Sequence, residues 1–280
     1  MPSHRATHTE LLTPQTRLRT AHILSGLVAL LMILQSAGGL FFPSRYRDNA
    51  FVLSAWKGND LVTLAVAVPV LIAALIFARR GSARARLIWL GGLDYALYNY
   101  AFYLFGSAFN AFFLVYVVLF VLAIFALIFG LAHLDVNRIG TQARAGMPVP
   151  WIGGYFLFVA SGLGAVYLVL SLSFVFTGQL PAIITMTGRP TSIAFALDLT
   201  LLAPWLVPGA VWLMKRQAWG YVITGILGVK GPLYTLVLAV SSLAAMNAGI
   251  GSAATELPLW VTPTVMGSLA SALFYLNVQE

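Results

Sequence analysis

"AFFLVYVVLFVLAIFALIFGLA", residues 111–132, is 22 residues long and carries no charge. At ~1.5 Å of rise per residue, a helix of this length crosses the ~30 Å hydrocarbon core of a bilayer. No face of such a helix is polar enough to meet water, so the run reads as a transmembrane span. It shows none of the two-residue alternation that a membrane β-barrel strand needs.

The same pattern recurs on both sides. Toward the N-terminus, apolar runs of spanning length lie at 87–108, 60–78 and 21–42; toward the C-terminus they lie at 151–175, 192–214, 218–245 and 257–277. Hydrophobic residues make up 60% of the 280-residue chain and charged residues 9%, with a mean hydropathy of +0.90, well outside the soluble range. The expected fold is all-α: a polytopic transmembrane helix bundle of about eight spans, with residues 1–20 as a cytoplasmic N-terminal segment and 21–280 as a single membrane domain. Asn110 in "SAFNA" is expected to cap the fourth helix. The apolar run after "MPSHRATHTELLTPQTRLRT" exceeds a signal-peptide core and ends without a cleavage site, so the first helix is expected to be retained.

Basic residues set the orientation, because Lys and Arg resist translocation. With the N-terminus in the cytoplasm, the inner segments hold Arg5, Arg17, Arg19, Arg79, Arg80, Arg84, Arg86, Arg138, Arg144, Lys215 and Arg216, and the outer ones Arg45, Arg47, Lys57 and Arg189. An even number of spans returns the C-terminus to the cytoplasmic side of the cell membrane. This bias also accounts for the +8 net charge without a nucleic-acid partner. With no cysteine, thiol chemistry and iron–sulfur clusters are excluded. His22 and His133 lack further ligands at metal spacing, so no metal site and no cofactor is expected.

Three ionisable residues fall well inside the spans: Asp94 in "GGLDYALYNY", Asp198 in "FALDLTLLAPW" and Lys230 in "ILGVKGPLY". Each costs ~2.5 kcal/mol or more at the bilayer centre on insertion scales, so they are expected to neutralise one another. Helical rise places Lys230 near mid-membrane, with Asp198 above it and Asp94 below. On the sixth span Asp198 shares a face with Trp205 and Trp212, and on the seventh Lys230 shares one with Tyr234 and Ser241. On the third, Asp94 stacks over Tyr98, while Asn99, Tyr103, Gly106 and Asn110 form a neighbouring polar stripe. Lys230, Asp198, Asp94, Tyr98, Trp205, Tyr234 and Asn99 are therefore the candidate ligand- or ion-binding residues of one polar and aromatic cavity. Pro204, Pro208 and Pro232 interrupt the same helices, and each frees a carbonyl one turn earlier for a ligand, an ion or the lysine. Asp60 in "WKGND" reads as a helix cap at the outer interface.

The stretches "LYNYAFYLFGSAFNAFFLVYV" (97–117) and "WKGNDLVTLAVAVPVL" (56–71), with the later lysine helix, resemble a group of bacterial multi-span membrane proteins that has no assigned activity. The resemblance implies an architecture of about eight helices and nothing about chemistry. A lysine in the seventh span, a carboxylate in the third and tryptophans in the sixth also resemble microbial rhodopsins, which hold retinal on such a lysine. The departures are an eighth span, Ile226 in place of the carboxylate four residues before the lysine, and a third span without the threonine–proline pattern.

These readings point first to a proton-coupled transporter of a small solute or ion, in which Lys230 exchanges between two carboxylates. The alternatives are an integral-membrane enzyme acting on a lipid or isoprenoid, a lysine-linked chromophore protein, and a subunit without a ligand of its own. Beyond the lipid bilayer and a small ligand or ion, no partner is implied.

Overall fold

The computed structural model describes residues 14–251 and 253–280, which form ten helices and no strand beyond an isolated bridge between Ala143 and Val278. Seven helices are long and apolar enough to cross a membrane: α1 (Pro14–Phe41), α2 (Ala50–Arg79), α4 (Phe113–Ala132), α6 (Val149–Thr177), α8 (Ile193–Met214), α9 (Ala218–Asn247) and α10 (Ala253–Leu276). An eighth, α3 (Ala83–Gly106), is equally long but more polar. Its position explains its composition. Sixteen of its 24 residues are buried, so α3 is surrounded by protein and needs no apolar surface for lipid. The short helices α5 (Val136–Thr141) and α7 (Ala182–Thr187) lie in connections.

Within lipid, helices gain nothing from hiding apolar surface, so association rests on close packing and interhelical hydrogen bonds. Both devices centre on α3 and α9. A Cβ at Gly91 would overlap the Ile226 carbonyl and Val229, and one at Gly58 would overlap the Ser241 backbone. These glycines let α3 and α2 lie directly against α9. Polar clips add to the packing: Trp89 Nε1 donates to Ser25 Oγ at 2.9 Å, and the Tyr275 hydroxyl to the Gly225 carbonyl at 2.8 Å. One core cluster fills the α1–α4 side and a second the side built by α6, α8 and α10; α9 contributes to both.

The prolines leave two marks. Widened π turns stand at Thr63–Ala67 and Asp198–Leu202, each just ahead of a proline, Pro69 and Pro204. A wider turn accommodates the ring and the missing N–H while the helix continues. In α9, Pro232 deprives the Gly228 carbonyl of its helical donor, and Ser271 Oγ of α10 supplies one at 2.5 Å. That carbonyl is therefore taken by a neighbouring helix and does not meet Lys230.

Both described ends of the chain lie at the arginine-rich end of the bundle. Arg19 and His22 on α1 border the same hollow as Arg79, while the C-terminal residues pair with the α3 start and the α5 loop through Arg84 Nε to the Val278 carbonyl (2.6 Å) and Gln279 N to the Gln142 carbonyl (2.7 Å). Residues 1–13, most of the expected N-terminal segment, lie outside the described residues.

Two boundaries differ from the sequence reading. The second helix begins at Ala50, ten residues before the expected start, and its cap is Asn49, whose Oδ1 accepts from Val52 N at 3.0 Å. Asp60 is thus deep in a helix and fully buried rather than a cap at the interface. "KGND" reads as polar, but only Lys57 turns outward; Gly58, Asn59 and Asp60 all face protein. Asn110 accepts from Phe112 N at 2.9 Å and so shapes the turn before α4, which has no side-chain cap.

Candidate functional site

Lys230 is near the middle of α9 and 1% exposed. Its ammonium lies 3.4 Å from Asp94 Oδ2 on α3, 3.5 Å from the Leu201 carbonyl in the π turn of α8, and 4.5 Å from the centre of the Tyr98 ring. A desolvated cation over an aromatic face gains ~2 kcal/mol, which complements the ion pair with Asp94. The unwound backbone of α8 adds a carbonyl dipole aimed at the same charge.

Asp198 is fully buried yet makes no ion pair with the lysine. Its two oxygens accept from two tyrosines, Oδ1 from Tyr98 on α3 and Oδ2 from Tyr167 on α6, both at 2.6 Å. Such short contacts suit a carboxylate receiving charge-assisted bonds. Tyr98 therefore touches both partners, its ring facing the ammonium and its hydroxyl the second carboxylate. Tyr234 packs edge-on against Tyr98 with ring centres 4.9 Å apart. Two acids, one ammonium and a shared tyrosine form one connected set around a single cation. Asp94 holds it here.

The other candidates lie elsewhere. Trp205 is 52% exposed and turned away from the helix bundle, as is Trp212, so the tryptophan side of the rhodopsin likeness is not built around this lysine. Asn99 is buried on a different face of α3, with its Nδ2 lacking a hydrogen-bond partner. Tyr103 points into a separate cluster around Asp60. Instead of one polar cavity, α3 carries two polar clusters on opposite faces, with Asp94 and Tyr103 about two and a half turns apart.

A large apolar cavity of about 500 Å³ adjoins the lysine cluster, lined by Tyr167, Tyr234, Gly231, Leu206, Trp260 and Met266 among others. It lies between α6 and α10, the two spans with the least buried surface, only 11% and 17% of their most apolar stretches. Both flanking spans are therefore largely unenclosed by protein. The inner wall of the cavity is formed by the two tyrosines that lead to Asp198 and Tyr98.

Sequence reasoning passed over Tyr167 and the Asp60 cluster. Tyr167 did carry a signal: tyrosine gathers at membrane interfaces, and this one stands midway along α6. Among the described residues, no group of three His, Asp or Glu side chains is placed to hold a metal ion.

No protein-family model, curated protein or solved structure matches this chain.

Proposed function

We propose that this multi-span membrane protein transports a small amphipathic solute coupled to protons. In this reading the solute enters the 500 Å³ cavity from the bilayer and the Lys230 cluster meets its polar group. The observation that carries the proposal is the unequal sharing of one buried ammonium: 3.4 Å to Asp94, with Asp198 held instead by Tyr98 and Tyr167. Protonating Asp94 would release the lysine toward Leu201 and Asp198, giving two states that a proton and a solute can bias oppositely. A permanent structural pair needs no second buried acid beside it.

The test is flux in liposomes containing the purified protein and an entrapped pH dye. Lys230→Met is expected to lower proton-linked flux at least ~tenfold, equivalent to ~1.4 kcal/mol of lost differential binding. Trp205→Ala, facing away from the cluster, serves as the control and keeps wild-type flux. Equal flux in wild type and Lys230→Met would leave only a structural pair.

One contact favours a second reading, an enzyme acting on a lipid or isoprenoid. Tyr167 lines the cavity and donates to Asp198 at 2.6 Å, an arrangement suited to proton transfer at a bound ligand. Product formation from a membrane lipid extract, lost in Tyr167→Phe, would distinguish it from transport.

A further inference from the structure

The second polar cluster lies on the other face of α3, around Asp60 of α2. Asp60 Oδ1 accepts from the Tyr103 hydroxyl at 2.7 Å and from Gln35 Nε2 at 3.1 Å; Oδ2 accepts from the Tyr46 hydroxyl at 2.6 Å. Gln35 is itself fixed, donating to the Tyr46 oxygen at 2.9 Å and accepting from Tyr100 at 3.0 Å. The site is tightly enclosed. Asp60 is 0% exposed, and a Cβ at Gly39 would overlap both its carboxylate and the Tyr46 hydroxyl.

Among the described residues, no Lys, Arg or His comes within ion-pair distance of Asp60. The groups facing it are neutral: Gln35 on α1, Tyr46 in the connection after it, Tyr100 and Tyr103 on α3, and Tyr116 on α4, stacked on Tyr103 at 5.0 Å. The charged pair at this end, Asp48 and Arg189, is closed on itself beside Trp56. A buried anion without a cation is costly, and it stays ionised only while its donors hold.

Two of the three donors are hydroxyls, and hydroxyls can reverse. Tyr103 has a second acceptor within reach, the Trp56 carbonyl at 3.5 Å. When Asp60 carries a proton on Oδ1, that proton donates to the Tyr103 oxygen and the Tyr103 hydrogen turns to the Trp56 carbonyl. Both charge states are thereby satisfied with no heavy atom displaced, which an arginine-paired carboxylate could not manage. The Tyr116 hydroxyl, buried with no partner of its own, is a further group left open for such a rearrangement.

We propose that Asp60, with Tyr46, Tyr103 and Gln35, is a reversible proton-binding site buried in the half of the bundle away from its arginine-rich end, distinct from the Lys230 cluster. Its proton comes from the adjoining aqueous face. Tyr46, 7% exposed and outside the membrane helices, is the link to that face. Burial and the neighbouring Asp60 carboxylate raise the Tyr46 hydroxyl well above the ordinary tyrosine range, so it stays a neutral phenol and keeps donating to Oδ2 while Oδ1 gains or loses the proton. The proposal does not rest on what the Lys230 cluster does.

Infrared difference spectra of the purified protein between alkaline and acid buffer provide the test. A carboxylic-acid carbonyl band is expected to rise on acidification, to be missing in Asp60→Asn and to persist in Asp198→Asn. Tyr103→Phe supplies a second arm that does not require the Asn variant to fold. Removing a donor to the ionised form should hold the band to a pH about one unit higher, a tenfold gain in proton affinity. An Asp60→Asn spectrum identical to wild type, or a Tyr103→Phe band with an unshifted midpoint, would mean a carboxylate fixed in one charge state and would overturn the proposal.

Discussion

At the scale of single residues, the lysine and Asp94 are worth more together than apart. Lys230 is 1% exposed and Asp94 16%, so removing either leaves a charge that has lost its partner in a poorly solvated place. Thermal unfolding in detergent is expected to show Asp94→Asn and Lys230→Met each destabilising. The Asp94→Asn/Lys230→Met double variant should recover part of the loss, with a coupling of ~1–3 kcal/mol. Strict additivity would mean that the 3.4 Å contact contributes nothing. The residue scale is also where the sequence was easiest to misread. Lys230, Asp94 and Asp198 stood out because charge in an apolar run is rare, whereas Trp205 shared a helical face with Asp198 only under regular 3.6-residue winding. The π turn at Asp198–Leu202 lies between them and changes that phase.

At the scale of elements, α3 and α9 form the axis of the molecule, and their glycines set how closely they approach. Gly91→Ala is expected to cost ~1–3 kcal/mol, because its Cβ would meet the Ile226 carbonyl, which belongs to the helix backbone and cannot swing aside. Gly162→Ala on α6, with nothing within 4 Å, should be neutral or slightly stabilising, since alanine is the better helix former. Equal losses for the two variants, read as unfolding temperature, would refute close packing as the reason for Gly91. Helix identity and number were largely legible from apolar run lengths. The start of α2 was not, because Asn59 and Asp60 look like an interface in sequence and become interior only when α1, α3 and α9 surround them.

For the whole molecule, the end opposite the arginine-rich one is tied by a partly buried ion pair. Arg189 Nη2 lies 2.6 Å from Asp48 Oδ1, and Asp48 also accepts from Trp56 Nε1 at 2.8 Å and from Ala108 N at 2.8 Å. Burial works against the charge of Arg189, and the Asp48 carboxylate works for it. With Asn49 Nδ2 donating to the Met186 carbonyl at 3.1 Å, this pair ties α7 over a smaller cavity of about 160 Å³. Arg189→Gln is expected to speed amide exchange in residues 182–191 and protease cleavage there, leaving α3 and α9 protected. Unchanged exchange in that segment would show that the helix is held by other contacts.

The amino-acid sequence alone determined that the chain is a bundle of long apolar helices suited to a membrane, and that Lys230, Asp94 and Asp198 stand within them. Those properties follow from run length and from the cost of charge in hydrocarbon, both of which are local. Which carboxylate holds Lys230, the separation of Asp60 into a cluster of its own, and the apolar cavity were decided only by the tertiary structure. Each depends on hydroxyls and carboxylates from helices distant in sequence, brought together by glycine contacts and by two widened turns that no hydrophobic pattern records.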